Sequence, residues 1–124
     1  MKKYAGLSTE EKLKALGSWL HEHKAIRPVS LHVAGRCAWT EALIVASASS
    51  VRHAQSLADG LRIWCKERKL EFLSMEGYQS GQWILVDLND VVVNIFQVPT
   101  REFYCLESLW APSPALTSPR EAVP

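Results

Sequence analysis

The sequence predicts a single α/β domain in which a mixed β-sheet is flanked by helices. Three observations support this fold class: helical and strand-like apolar patterns alternate along the chain, one strand candidate is aliphatic throughout, and a hairpin pattern occurs towards the C-terminus. Helical crossovers are typical of parallel strand pairs, and a hairpin adds an antiparallel pair. Because 124 residues suit one hydrophobic core, we expect the domain to occupy residues 1–110.

The N-terminal third predicts one helix followed by two strands. Ser8 and Glu11 have the spacing of a capping box, and leucines recur at helical spacing behind them, so a helix should run to about Lys24. Apolar residues alternate over 29–33, which predicts a half-exposed strand. The continuous aliphatic run over 42–46 predicts a central strand that is covered on both faces.

A second helix is predicted after the serine-rich stretch ASASS, with either Ser49 or Ser50 as its N-cap. Apolar residues recur at helical spacing behind it until the basic segment KERK, a composition typical of a helix C-terminus. Residues 71–75 predict a third strand, and the glycine-containing residues 76–82 predict a loop.

The segment WILVDLNDVVVNIF, residues 83–96, predicts a β-hairpin with a two-residue turn at Asn89-Asp90. Side chains alternate between faces along each strand, so one face of the hairpin should be entirely aliphatic and belong to the core. The other face should pair aromatic with polar residues. That composition is expected of a protein-binding surface.

The last predicted helix begins at Thr100 as N-cap and runs to Trp110, with Phe103 on its apolar side. The remaining residues, 111–124, include four prolines and predict a disordered tail.

Two candidate catalytic arrangements are incomplete. Asp87 and Asp90 should diverge across the hairpin turn, so they lack the shared geometry that two-metal or acid/base chemistry requires. The ASASS stretch could hold an anion or pair a serine with His53, yet it has neither the glycines and lysine of a phosphate loop nor a nucleophile elbow. These two arrangements leave a nucleotide-binding or nucleotidyltransferase-like enzyme as the alternative function. Because both arrangements are incomplete, we expect no cofactor and no metal.

Charge is distributed unevenly along the chain. Residues 1–69 contain 12 basic and 6 acidic residues, a net charge of +6, whereas residues 70–110 contain 1 basic and 6 acidic residues, a net charge of −5. An acidic surface attracts a basic partner, which could be the N-terminal half, a second copy or another protein. The three widely spaced cysteines and the lack of a long apolar run predict a reduced, cytoplasmic protein that does not cross a membrane.

Residues 8–110 contain an ordered series of motifs: Ser50-Val51-Arg52-His53, Glu76-Gly77, Trp83, Val86-Asp87-Leu88, Asp90-Val91-Val92-Val93, Arg101-Glu102-Phe103-Tyr104 and Leu106-Glu107-Ser108-Leu109-Trp110. With these motifs in this order, the chain closely resembles the ribosomal silencing factor family, also called RsfS or Iojap. The sequence departs from the family pattern at His32, Glu41, Ala42, Ala48 and Asn94.

The resemblance implies a nucleotidyltransferase-like topology without enzymatic activity. It also implies binding to the large ribosomal subunit through ribosomal protein number fourteen (uL14), steric obstruction of subunit joining, repression of translation and a possible homodimer. No direct sequence-specific nucleic acid binding is implied.

We expect Trp83→Ala to abolish subunit binding without unfolding the domain, as a hot spot worth ~2 kcal/mol or more. Arg101 has two possible roles, anchoring the last helix to the sheet or reaching the partner. The predicted partner-binding residues are Trp83, Asp87, Asp90, Asn94, Arg101, Tyr104 and Glu107.

Overall fold

The structure, a computed structural model, describes residues 7–35 and 40–106. Within these ranges three helices and five strands follow the predicted order, and all five strands join one sheet. The elements are α1 (Thr9–Glu22), β1 (Ile26–His32), β2 (Ala42–Ala48), α2 (Val51–Arg68), β3 (Ser74–Glu76), β4 (Trp83–Asp87), β5 (Val91–Gln97) and α3 (Val98–Tyr104).

The sheet has the strand order β1-β2-β5-β4-β3 and is mixed. β2 and β5 are parallel neighbours, while the other three pairs are antiparallel. β2 lies between two strands, and all seven of its residues are buried, which matches the two-sided burial predicted from its aliphatic run. The α/β class with a mixed sheet is confirmed.

The helices cover the two faces of the sheet unequally. α1 and α2 pack on one face, where their leucines and alanines join alternate residues of β2, β4 and β5 in the larger apolar cluster. A smaller cluster lies on the opposite face and includes Phe96 of β5, with Trp83 and Leu106 packed against it. The protein therefore has a helical face and, behind the sheet, a face that is associated with α3.

The start of α1 confirms the predicted capping box. The Ser8 hydroxyl accepts from the Glu11 backbone N–H, and the Glu11 carboxylate accepts from the Ser8 backbone N–H. α2 is capped by Ser50, whose hydroxyl accepts from the backbone N–H of His53. These bonds satisfy backbone donors that the first turn of a helix leaves without a partner.

Three predicted boundaries were wrong. β1 begins at Ile26 and includes Pro28, because an irregularity in its pairing between Ile26 and Val29 accommodates a residue without a backbone donor. β3 comprises Ser74–Glu76 instead of residues 71–75. α3 begins at Val98 with a proline in its first turn and has no side-chain cap; Thr100 instead lies inside the helix.

The prediction that the last helix runs to Trp110 was also wrong, because α3 ends at Tyr104 with Cys105 as a left-handed C-cap. Residues 107–110 and the predicted tail over 111–124 lie outside the described residues. None of the helices in the described ranges is both long and apolar enough to cross a membrane.

Candidate functional site

The β4–β5 hairpin has the predicted register. Trp83 lies opposite Phe96 and Asp87 lies opposite Val92, and the turn is closed by the bond from the Leu88 N–H to the Val91 carbonyl at 2.8 Å. Asn89 takes a φ of 82°, as a two-residue hairpin turn requires. One face of the hairpin is aliphatic and buried, as predicted.

The prediction that the other hairpin face is open was wrong for β5. Val92, Asn94 and Phe96 are all buried, whereas Trp83 and Asp87 on β4 are half-buried. The cause lies partly in α3, which folds back over this face and stacks Tyr104 against the hairpin aromatics. Only the β4 half of the face thus remains accessible within the described residues.

Trp83 connects the hairpin to α3. Its ring centroid lies 4.7 Å from that of Phe96 and 4.9 Å from that of Tyr104, and its indole N–H donates to Asn94 Oδ1 at 2.9 Å. Buried tryptophans usually have such a polar partner, which fixes the ring plane. Trp83 is therefore partly a structural residue as well as a candidate contact.

Asn94 lies inside the fold. It is 2% exposed, and its amide accepts from Trp83 and points Nδ2 towards the carbonyls of Ile44 and Val92 at 3.4 Å. Its position explains how the indole of Trp83 is oriented. It offers almost no surface to another molecule.

Arg101 anchors α3 to the sheet, which is the first of its two predicted roles. The residue is 1% exposed, and Nη1 donates to the Ile26 carbonyl at 3.0 Å and to Ser47 Oγ at 3.1 Å. Hydrogen bonds to a charged group contribute more than neutral ones, so this guanidinium holds α3 against β1 and β2.

The accessible side of α3 carries two large aromatic side chains. Phe103 is 79% exposed and Tyr104 is 52% exposed. Their rings meet edge to face, with centroids 5.1 Å apart. The sequence pattern placed Phe103 on the apolar side of the last helix, and the structure leaves this side chain exposed to solvent. The motif Arg-Glu-Phe-Tyr gave no sign that its arginine is buried and its phenylalanine exposed.

Asp87 and Asp90 diverge across the turn, as predicted. Asp87 Oδ1 accepts from the backbone N–H of Asn89 at 2.9 Å, a local turn contact. Asp90 points towards α1, where Oδ1 accepts from Lys12 Nζ at 2.6 Å and Oδ2 accepts from Thr9 Oγ1 at 2.8 Å. These carboxylates do not form a common site.

The structure thus brings together part of the predicted site. Trp83, Asp87 and Tyr104 share the accessible side of the hairpin and α3, to which Glu102 and Phe103 are added; we call these five residues the α3 surface. Asn94 and Arg101 lie beneath it, and Asp90 is bound to α1. Glu107 lies outside the described residues.

The other reactive side chains have structural environments. No group of three metal-binding side chains occurs in the described ranges. Nδ1 of His53 already faces the Ser49 N–H at 3.0 Å, so this histidine is committed to the start of α2. Burial raises the pKa of the Cys65 thiol to about 11, despite the nearby Lys12 and Arg68 that lower it, so the thiolate is scarce at neutral pH.

Comparison with known proteins identifies the family. A family model described as "Ribosomal silencing factor during starvation" matches residues 7–123. The chain belongs to this family. The ribosomal silencing factor of Halalkalibacterium halodurans is 30% identical over 110 residues, which cover 89% of this chain and 94% of that protein.

Solved structures of similar proteins have the same fold. A crystal structure of a protein from Chromobacterium violaceum matches with a TM-score of 0.80 at 30% identity, covering 84% of this chain and 87% of that chain. A more distant mouse relative is named mitochondrial assembly of ribosomal large subunit protein 1. It is 28% identical over 98 residues, which cover 77% of this chain and 43% of that protein. As a ribosomal silencing factor family member, the chain is related to proteins named for regulation, not catalysis.

Proposed function

We propose that this protein binds the large ribosomal subunit through ribosomal protein number fourteen, obstructs joining of the small subunit, and so represses translation without catalysing a reaction. The docking site is the α3 surface. Support comes from the family membership, from the large-subunit name of the mouse relative, and from the accessible aromatic side chains of α3.

The observation that carries the proposal is the exposure of Phe103 and Tyr104. Adjacent exposed aromatic residues mark a surface that another protein covers, because each can bury a large area with little loss of side-chain freedom. Trp83 supports the pair from beneath, and Arg101 fixes the helix that presents it. Rigid presentation reduces the entropy lost on binding.

The charge around this surface favours a basic partner. Glu102 is exposed next to the aromatic pair on α3, and Asp87 lies on the same face of β4 as Trp83, towards the hairpin turn, while the single basic residue between positions 70 and 106, Arg101, is buried. Carboxylates at the rim of an interface mainly accelerate association and make it salt-sensitive, whereas buried aromatics carry most of the affinity. A basic protein of the ribosome has the complementary charge.

Phe103→Ala provides the sharpest test. Phe103 has an edge contact with Tyr104 and is otherwise largely exposed, so its removal should leave the fold intact. We expect affinity for purified large subunits, measured by co-sedimentation, to fall ~30-fold, equivalent to ~2 kcal/mol. Subunit joining, followed on sucrose gradients, should become resistant to the variant at the same concentration.

Ile63→Ala is the matched control. Ile63 is 56% exposed but lies on α2, on the helical face of the sheet, so this variant removes an exposed aliphatic side chain away from the α3 surface. It should bind large subunits like the original protein. Equal binding by the two variants would contradict the α3 surface as the docking site.

Trp83→Ala is expected to abolish subunit binding while the domain stays folded, with circular dichroism as the check. Because Trp83 also supports Tyr104, loss of binding here includes loss of support for α3. Phe103→Ala removes only a side chain that would contact the large subunit, so comparing the two variants separates loss of that contact from loss of support for α3.

The cytoplasmic location, the homodimer and the absence of catalysis belong to the same proposal. Calorimetry with ATP and magnesium tests the last: saturable binding would favour the nucleotidyltransferase-like alternative. Sedimentation at several protein concentrations, with and without large subunits, would reveal a dimer and whether it or the monomer binds.

A further inference from the structure

α2 exposes a row of basic side chains on the face of the molecule opposite the α3 surface. Arg62, Lys66 and Lys69 are all exposed: Arg62 and Lys66 lie about 40° apart around α2 at 100° per residue, and Lys69 is the C-cap residue that follows the helix in a left-handed conformation. We call these three residues the α2 row. Arg62 and Lys66 are separated by about one helical turn, or roughly 6 Å along the axis, and Lys69 follows three residues later at the end of the helix.

Within the part of the chain that the structure describes, the charges of the α2 row have no ion-pair partner. Among the described residues, no carboxylate lies within 4.0 Å of an amino or guanidinium nitrogen of Arg62, Lys66 or Lys69. Asp59 lies in the preceding turn of α2, where its carboxylate accepts from the Tyr78 hydroxyl at 2.9 Å. The α2 row therefore has a surplus of positive charge.

Helix stability explains part of this pattern. Basic residues at the C-terminal end interact favourably with the helix dipole, which accounts for Lys66 in the last turn and Lys69 at the C-cap. The opposite end of α2 behaves differently, because its first turn has no acidic residue and carries exposed Arg52, which opposes the dipole. The helix dipole thus explains neither Arg52 in the first turn nor Arg62, which lies before the last turn.

We propose that the α2 row binds the phosphodiester backbone of RNA. A row of cations at one per turn complements a linear polyanion, whose charges repeat along one direction, better than the scattered carboxylates of a folded protein. The contact is with phosphates and carries no base specificity. That this RNA belongs to the large ribosomal subunit rests on the proposed function. The binding of RNA by the α2 row is independent of the proposed function.

The two faces would then orient the molecule. The α3 surface is acidic and is repelled by phosphates, while the α2 row on the other side of the sheet attracts them. Such a charge distribution favours one arrangement on a ribosome, with α2 towards RNA and α3 towards a basic protein.

A duplex RNA of about 20 base pairs and arbitrary sequence is the probe, with binding followed by fluorescence anisotropy between 50 and 200 mM salt. The α2 variant is Arg62→Gln/Lys66→Gln/Lys69→Gln. The control variant is Lys14→Gln/Lys24→Gln/Arg27→Gln, which removes the same charge from exposed positions on α1, on the segment after it and on β1.

The α2 variant should bind RNA about 10-fold or more weakly at 100 mM salt, and its slope of log affinity against log salt should be smaller by about two to three. The control variant should stay within about three-fold of the original protein. Circular dichroism checks that both variants are folded.

Three results would overturn the proposal: no RNA binding by the original protein at 50 mM salt, equal losses in the α2 and control variants, or an α2 variant that weakens large-subunit binding while its RNA binding is unchanged. The third result would indicate an acidic protein as the partner of α2. Phe103→Ala should bind the duplex normally. RNA binding that depends on α2 in a protein that never binds large subunits would refute the proposed function and leave this inference standing.

Discussion

The ion pair between Lys12 and Asp90 gives a prediction that separates folding from docking. Lys12 is 4% exposed although it is charged, and its amino group lies 2.6 Å from Asp90 Oδ1. Asp90 was predicted as a partner contact, yet it connects the hairpin turn to α1. We therefore expect Asp90→Ala to destabilise the domain and to leave the affinity of the folded protein for large subunits unchanged.

The magnitude follows from burial. Removing one partner of a buried ion pair leaves the other charge without compensation, at a cost of about 3–5 kcal/mol. The Asp90 side chain is 22% exposed, which lets some water reach the site, so the lower end of about 3 kcal/mol applies. With a urea dependence of about 1–3 kcal/mol per molar, the unfolding midpoint should fall by about 1–3 M.

The double variant Lys12→Met/Asp90→Ala provides the control. It removes both charges and keeps most of the apolar volume of the lysine, so its stability should return to within about 1 kcal/mol of the original protein. Urea titration followed by circular dichroism measures all three proteins. An Asp90→Ala variant that loses less than about 1 kcal/mol, or a double variant no better than the single one, would refute the reasoning.

Three further outcomes are expected. Gly77→Ala should lower the free energy of unfolding, measured by urea titration, by about 2 kcal/mol or more, because φ at this position is +82° and an added Cβ would overlap the Trp83 carbonyl. Gly17→Ala is the control: a Cβ there has open space in α1, so this variant should raise the free energy of unfolding by ~0.5–1 kcal/mol. Ser50→Ala should cost about 1 kcal/mol through loss of the α2 cap, with Ser56→Ala on the exposed side as a control. Because the pKa of Cys65 is raised to about 11 in the folded protein, the protonated thiol contributes stability that is fully present below pH 9 and is lost as pH rises through about 11. The free energy of unfolding should therefore fall by roughly 2 kcal/mol between pH 9 and pH 11 in the original protein, and by less in Cys65→Ala.

Local rules were sufficient for much of the fold. The two-residue turn at Asn89-Asp90 determined the register of β4 and β5, because side-chain alternation leaves one aliphatic face. The capping box located the start of α1, and Ser50 was one of two predicted caps for α2. Each of these signals depends on residues close together in the sequence.

The environment of the site depends on distant contacts, which the sequence pattern does not contain. Lys12 and Asp90 are 78 positions apart, and nothing in either neighbourhood indicates that they pair. Asn94 was predicted to lie on an open face, whereas it is 2% exposed and bonded to Trp83 on β4 and to the Ile44 carbonyl on β2, 50 positions away. Trp83, Asp87 and Tyr104 were placed on one accessible side because they needed only the hairpin register and the helix that follows.

α3 reverses the usual distribution of polar and apolar side chains, and this reversal has a physical consequence. The helix buries the guanidinium of Arg101 at 1% exposure and presents Phe103 to solvent at 79%. Burying a charge is unfavourable unless its donors are bonded, and exposing an aromatic ring forgoes a favourable transfer from water. The donors of Arg101 are bonded to the Ile26 carbonyl and Ser47 Oγ, which offsets the first cost, whereas nothing among the described residues covers Phe103. The proposed docking would cover Phe103, so the affinity for large subunits, more than the stability of the free protein, should respond to Phe103→Ala.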